Sequence, residues 1–320
     1  MSRPFAPRLR VSSYLSDWMP TGDETRQSVA GYFAGGYDGT SMYSTIDKIT
    51  FSADSKSTLA AALTTGRSFM GGMANSGVAG YFGGGYDTNY ISGIDKITFP
   101  ADSKTTLSAT LTSARERAGG MSNSGVAGYF GGGDTGSPTD GIDKITFPAD
   151  TKTTLAATLN SARYSAESMA DYGVAGYFAG GNDAVSNLSS IIKITFPADT
   201  KTTLSATLTT ARRAHTGMAD SGIAGYYGGG YDSGSISGID KIAFPSDSKT
   251  TLAATLTTAT YALAGMANSG VAGYFGGGTD GSNLTRIDKI AFPADTKTTL
   301  AATLTTAIAR LAAMADCGVF

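Results

Sequence analysis

One short phrase, an aromatic pair followed by a glycine run, returns six times along this chain. Its first glycine falls at Gly31, Gly80, Gly128, Gly176, Gly225 and Gly273, at spacings of 49, 48, 48, 49 and 48 residues. Length varies in one place only. From that glycine to the isoleucine opening "IDKIT" or its variants the distance is 14 or 15, and from that isoleucine to the next glycine it is always 34. A fixed period of this size marks a repeat architecture, in which each unit buries its apolar face against its neighbours.

Each unit reads as four short strands. In the second, residues 78–84 are small and aromatic, and residues 94–99, "IDKITF", alternate before Pro100, which cannot donate to a ladder. The polar turn "ADSK" leads into residues 105–111, "TTLSATL", where Leu107, Ala109 and Leu111 alternate with hydroxyl residues and predict the outermost strand. A strand around residues 120–122 then precedes "NSG", a tight hairpin, because Asn and Gly both accept positive φ. Four antiparallel strands per unit match a β-propeller blade. A solenoid coil is shorter, and an open stack needs polar caps that this sequence lacks.

Let the strands be a ("GGMSN"), b ("VAGYFGG"), c ("IDKITF") and d ("TTLSATL"). The first unit enters at strand b, at Val29, and the last ends in strand a, at residues 314–316. Complete quartets form only if that last strand joins the first b–c–d set, leaving no open sheet edge. The expected fold is all-β: a six-bladed β-propeller of four-stranded antiparallel blades, closed by the C-terminal strand over residues 29–320, with residues 1–28 as an N-terminal arm.

The order of an aromatic strand with a glycine run, a β-branched strand, and an arginine after the fourth strand, as in "YFGGGYD…IDKITFPADSKTTLSATLTSAR", resembles the kelch repeat. The kelch tryptophan is replaced by Leu59, Leu107, Leu155, Leu204, Leu252 and Leu300. Such near-identical Thr- and Gly-rich repeats are also similar in style to kelch-like proteins of tailed bacteriophages. That resemblance implies a propeller serving as a virion appendage.

Other features narrow the function. A net charge of −2 gives no broad cationic surface for nucleic acid. No apolar run approaches the roughly 18 residues of a membrane span, and no secretory signal is evident. Cys317 is the sole cysteine and His215 the sole histidine, which disfavours a disulfide framework, a histidine metal site or a histidine-driven triad. No calcium loop, phosphate loop, sialidase Asp-box or copper Cys-Tyr-His set is present. The expectation is no enzyme, no metal and no cofactor. The acidic ring Asp47, Asp95, Asp143, Asp240 and Asp288, interrupted by Ile192, reads as ion-paired or amide-bonded. The methionines Met73, Met121, Met169, Met218, Met266 and Met314 read as fillers between blades.

Divergence among the units sits in the b–c loop and the d–a segment, which fall at the same end of a four-strand meander. Variable loops on a rigid scaffold are where binding residues lie. The candidate ligand-binding residues are therefore Tyr37, Asp38, Tyr86, Asp87, Tyr90, Tyr164, Tyr231, Asp232 and Tyr261. Tyr43, Phe69 and Asp183 share that face. Aromatic rings beside carboxylates suit a sugar, whose C–H faces stack while its hydroxyls bond to Asp or Asn. Arg67, Arg115, Arg163 and Arg212 recur at one position and become Thr260 and Ile308 in the last two units. They are further ligand-binding candidates as a cationic part of the rim, with braces between loops as the alternative. In the arm, Arg3, Arg8, Arg10 and Trp18 suit attachment to other virion proteins or to another copy of the chain. The expected function is a virion-associated adhesin recognising a host-surface glycan or receptor. The alternative is a structural decoration or adaptor of a viral particle.

Overall fold

The computed structural model describes residues 29–316, and among them every regular element is a β-strand. Six four-stranded antiparallel sheets form a β-propeller. The innermost strands stand side by side around an axis. Gly71–Asn75 lies beside Gly119–Asn123, and Ala312–Ala315 touches both Ala264–Asn268 and Gly71–Asn75. The ring is therefore shut as the repeat arithmetic requires. Ala312–Ala315 pairs antiparallel with Ala30–Ala34, setting Met314 opposite Tyr32 and Ala313 opposite Phe33. The Val29 and Ala30 amides also donate to the Asp316 carboxylate at 2.8–3.1 Å. No helix among the described residues is long and apolar enough to cross a membrane. The arm and Cys317 lie outside the described residues.

Strand d differs from the sequence expectation. In the second blade it runs Ser103–Thr106, ahead of "LSATL". Leu107 and Leu111 still donate to the carbonyls of Ile94 and Ser92, both at 2.9 Å, but the residues between them bulge away. Only the fourth blade carries this strand further, over Thr200–Thr207.

Blade-to-blade contacts explain why so much of the repeat is invariant. The Tyr32 hydroxyl and the Lys48 ammonium both donate to Asp102 of the next blade, at 2.8 and 2.7 Å. The same latch recurs around the ring, ending with Tyr274 and Lys289 on Asp54 of the first blade. Each accepting aspartate sits at φ 48–55°, which aims its carboxylate sideways out of the c–d turn. Burial and the adjoining Asp102 raise the Tyr32 phenol far above its ordinary value, so it remains a donor. Nearer the axis, a Cβ on Gly80 would overlap Met314 Sδ, and one on Gly128 would overlap Met73 Sδ. The "GYF" glycine is thus the socket for the methionine of the preceding blade, so the methionines do fill the inter-blade gaps.

Candidate functional site

All six d–a segments approach the axis with one backbone conformation. Phe69, Arg117, Ser165, Ala214, Ala262 and Arg310 occupy equivalent positions with φ between 51° and 62°. This left-handed region disfavours residues bearing a Cβ. The compensation is a chain of blade-to-blade hydrogen bonds. The amides of Phe69, Arg117 and Ser165 donate to the carbonyls of Arg310, Phe69 and Arg117 at 2.8–2.9 Å. Those of Ala262 and Arg310 donate to Ala214 and Ala262 at 2.7 Å.

The preceding residues, Ser68, Glu116, Tyr164, Arg213, Tyr261 and Ala309, each form an isolated bridge to the b–c loop. Their partners are Tyr86, Asp134, Asn182, Tyr231, Thr279 and Tyr37. The two variable segments therefore meet at one end of the disc in three tiers around the axis. The backbone of this face repeats; the side chains do not.

The tiers enclose a funnel of about 370 Å³ at the axis, lined by Phe69, Arg117, Ser165, Ala214, Ala262 and Arg310 of the six units. One arc is bulky: the Arg117 guanidinium lies over the Phe69 ring at 4.3 Å, and Arg310 covers the same ring at 5.0 Å. The facing arc is lined at its lip by Ser165, Ala214 and Ala262, small residues that leave room. Tyr164, Tyr231 and Tyr261 complete the wall. Tyr231 and Tyr261 meet edge-to-face at 5.1 Å, and Arg213 lies over the Tyr231 ring at 5.2 Å. Below, the innermost strands enclose a throat of about 60 Å³.

The structure thus brings Tyr164, Tyr231 and Tyr261 together with Phe69. Tyr37 backs Arg310 at 5.1 Å, while Tyr86 and Tyr90 pair with each other and do not line the funnel. Asp38, Asp87 and Asp183 cap their own turns, and Asp232 accepts from a neighbouring loop. Asp38 accepts the Thr40 and Ser41 amides and the Tyr43 hydroxyl, each at 2.7 Å. The Ser41 amide and the Tyr43 hydroxyl hold its carboxyl below the ordinary value. Asp87 accepts the Thr88 amide at 2.6 Å, Asp183 the Ser186 amide at 2.8 Å, and Asp232 the Asn187 side-chain amide at 3.1 Å.

The recurrent arginines are not on the rim. Arg67, Arg115, Arg163 and Arg212 are each no more than 2% exposed. Arg67 reaches Asp95 at 2.9 Å, and Arg115 and Arg212 reach Asp143 and Asp240 at 3.0 Å. The acidic ring is therefore spent on braces. Asp95 also accepts the Thr64 amide and hydroxyl at 2.8 and 2.6 Å. Where Thr260 stands in place of the arginine, Arg286 approaches Asp288 from the b–c loop at 3.6 Å. The cations that do line the funnel, Arg117, Arg213 and Arg310, come one or two residues after the brace position. They are not legible as a set in the sequence, because arginine stands at this position in only two of six units, Arg117 and Arg310, and Arg213 lies one residue earlier.

His215 lies in the d–a segment just ahead of strand a, and its side chain is buried in the core. It is 1% exposed and fills the slot held elsewhere by Met70, Leu263 or Leu311. Burial, and next the Arg212 charge, hold its imidazole well below 6.5, so it is neutral. The same junction carries two further departures from the repeat. Tyr227 replaces the usual phenylalanine and donates to the Tyr177 carbonyl at 3.2 Å. Glu167 stands where Gly71 and Gly119 stand, and burial pushes its carboxyl up from 4.5 to about 8. Below pH 4.5 both folded and unfolded chains hold this proton, so it is without effect on stability. Between 4.5 and 8 the unfolded chain releases it first, and stability falls as pH rises. Glu167→Gln is therefore expected to stabilise the protein, by an amount growing across that window to a few kcal/mol, at about 1.4 kcal/mol per pH unit. Urea denaturation at pH 4.5 and pH 9 checks this, and an equal gain at both values refutes it.

Among the described residues no three His, Cys, Asp or Glu side chains cluster as metal ligands. No protein-family profile matches the chain, and no curated protein matches it in sequence.

Proposed function

We propose that this chain is a non-catalytic binding module that recognises a surface glycan through the b–c and d–a face, with the axial funnel as its centre. The observation that carries this reading is the contrast between a backbone repeated at every blade and side chains that differ at almost every position of one face. A scaffold that needed only to fold would let these segments stay as alike as the "PADSK" and "NSG" turns of the opposite face. The funnel walls add chemistry: three tyrosines and a phenylalanine offer ring faces to sugar C–H groups, and hydroxyls at the lip offer hydrogen bonds. The kelch-like and phage-like style of the repeats supports a virion as the setting, with the arm as the attachment.

The test is binding to a glycan array and to host cells with the parent protein and Tyr231→Ala/Tyr261→Ala. Each ring contributes about 0.5–1.5 kcal/mol beyond its buried area, so the double variant should bind on the order of tenfold more weakly with unchanged melting. Undiminished glycan binding sinks this face. Binding confined to other virion proteins favours the adaptor reading.

A further inference from the structure

We propose that the funnel selects an acidic saccharide, with its anionic groups held at Arg213 and at Arg310; the inference rests on the glycan reading above and specifies its ligand. Three arginines line the funnel, and their surroundings differ. Arg117 is already neutralised, with Glu116 at 3.3 Å and Asp134 at 3.9 Å. Arg213 contacts the Asn187 side-chain oxygen at 3.2 Å, a neutral acceptor. Arg310 rests between the Tyr37 and Phe69 rings, at 5.1 and 5.0 Å.

Among the described residues no carboxylate comes within 4.0 Å of Arg213 or Arg310, and Glu116 acts on Arg310 only from further off, whereas the buried arginines Arg67, Arg115 and Arg212 each have an aspartate. Stacking on rings fixes a guanidinium plane while leaving its edge donors free, and that edge matches a carboxylate or sulfate. Arg310 is exposed and Arg213 half-buried, so both are open to a ligand that Tyr231 and Tyr261 could hold by its ring. In a chain of net charge −2 both cations line one cavity.

Matched pairs test the assignment by calorimetry on the full chain: a tetragalacturonate against its carboxyl-reduced form, sialyllactose against lactose, and a sulfated against an unsulfated galactan fragment. At least one acidic member should bind tenfold or more tightly than its neutral partner, and the pair that does so identifies the anion. Arg213→Gln and Arg310→Gln should bring the ratio of acidic to neutral binding close to one with melting unchanged, and Arg310→Lys should retain part of the ratio. Equal binding within every pair overturns the acidic assignment and leaves the glycan reading standing. Loss of neutral and acidic binding together in the Gln variants also overturns it, because the arginines would then be holding the funnel's shape. Failure of every member to bind removes both readings.

Discussion

Asp95→Ala should destabilise the propeller by about 3–5 kcal/mol, the range for removing one partner of a buried ion pair. Asp95 is 1% exposed and gathers the Arg67 guanidinium, the Thr64 amide and hydroxyl, and the Thr106 hydroxyl within 3 Å. Without it, Arg67 keeps a 3.3 Å contact to the Phe82 carbonyl and a 3.1 Å contact to Met70 Sδ, and no anion, in a buried site. Urea denaturation of Asp95→Ala, Arg67→Met and the double variant measures the effect. The double variant should be more stable than Asp95→Ala, because no charge is then left buried. A cost below about 1 kcal/mol for Asp95→Ala would contradict the brace.

The chain contains its own control for this argument. At one junction the aspartate is Ile192, and the threonine that would bond it is Asn160. Arg163 turns instead to Asn160, to Ser161 at 2.7 Å, to Ser190 at 3.1 Å and to the Gly180 carbonyl at 2.9 Å. With no carboxylate partner, burial pushes its guanidinium down to about 10. The two departures occur in adjoining units at positions that touch.

That pairing shows how far the sequence could be read. Blade number, strand order and closure were legible because periodicity and the one-strand offset are properties of the chain alone. The methionine role was legible because an apolar side chain repeated in every unit must be buried somewhere. The arginines were not, since a guanidinium at a loop position can turn outward or inward, and only the position of Asp95 one blade away decides it. Ile192 changing together with Asn160 was the available signal. The outer strand was misplaced for a different reason. Leu107 keeps its bond to strand c and Leu111 one to Ser92 just ahead of it while the residues between them leave the ladder, so alternation in "TTLSATL" imitates a strand. As for the funnel, Tyr164, Tyr231 and Tyr261 were visible as variable aromatics. Arg117, Arg213 and Arg310 become neighbours only once the left-handed turn carries each segment to the axis.

A chain ending at Leu311 should fail to form the monomeric propeller. The strand Ala312–Ala315 contributes four register pairs to Ala30–Ala34, places fully buried Met314 in the socket of Gly80, and covers Tyr32 and Phe33, which are 1% and 2% exposed. Burying a methionine is worth about 1.5–3 kcal/mol, and each backbone bond about 1 kcal/mol. Together these approach the roughly 5–15 kcal/mol of a whole domain. The Asp54 latch would still tie the last blade to the first, but an open inner edge would invite pairing with other chains. Size-exclusion chromatography with near-ultraviolet circular dichroism should show associated protein lacking fixed tertiary packing. A permutant that moves residues 311–316 ahead of Val29, joined by an "NSG" turn as in the other blades, separates the strand's contacts from its linkage. It keeps every pairing, so its equilibrium stability should stay near the parent's. Its unfolding should be faster, because the first and last blades are then joined by side chains and by the Ala309–Tyr37 and Phe69–Arg310 backbone bonds, no longer by the chain itself. Unfolding rates equal to the parent's would mean that the strand matters for what it covers, not for the two ends of the chain it joins.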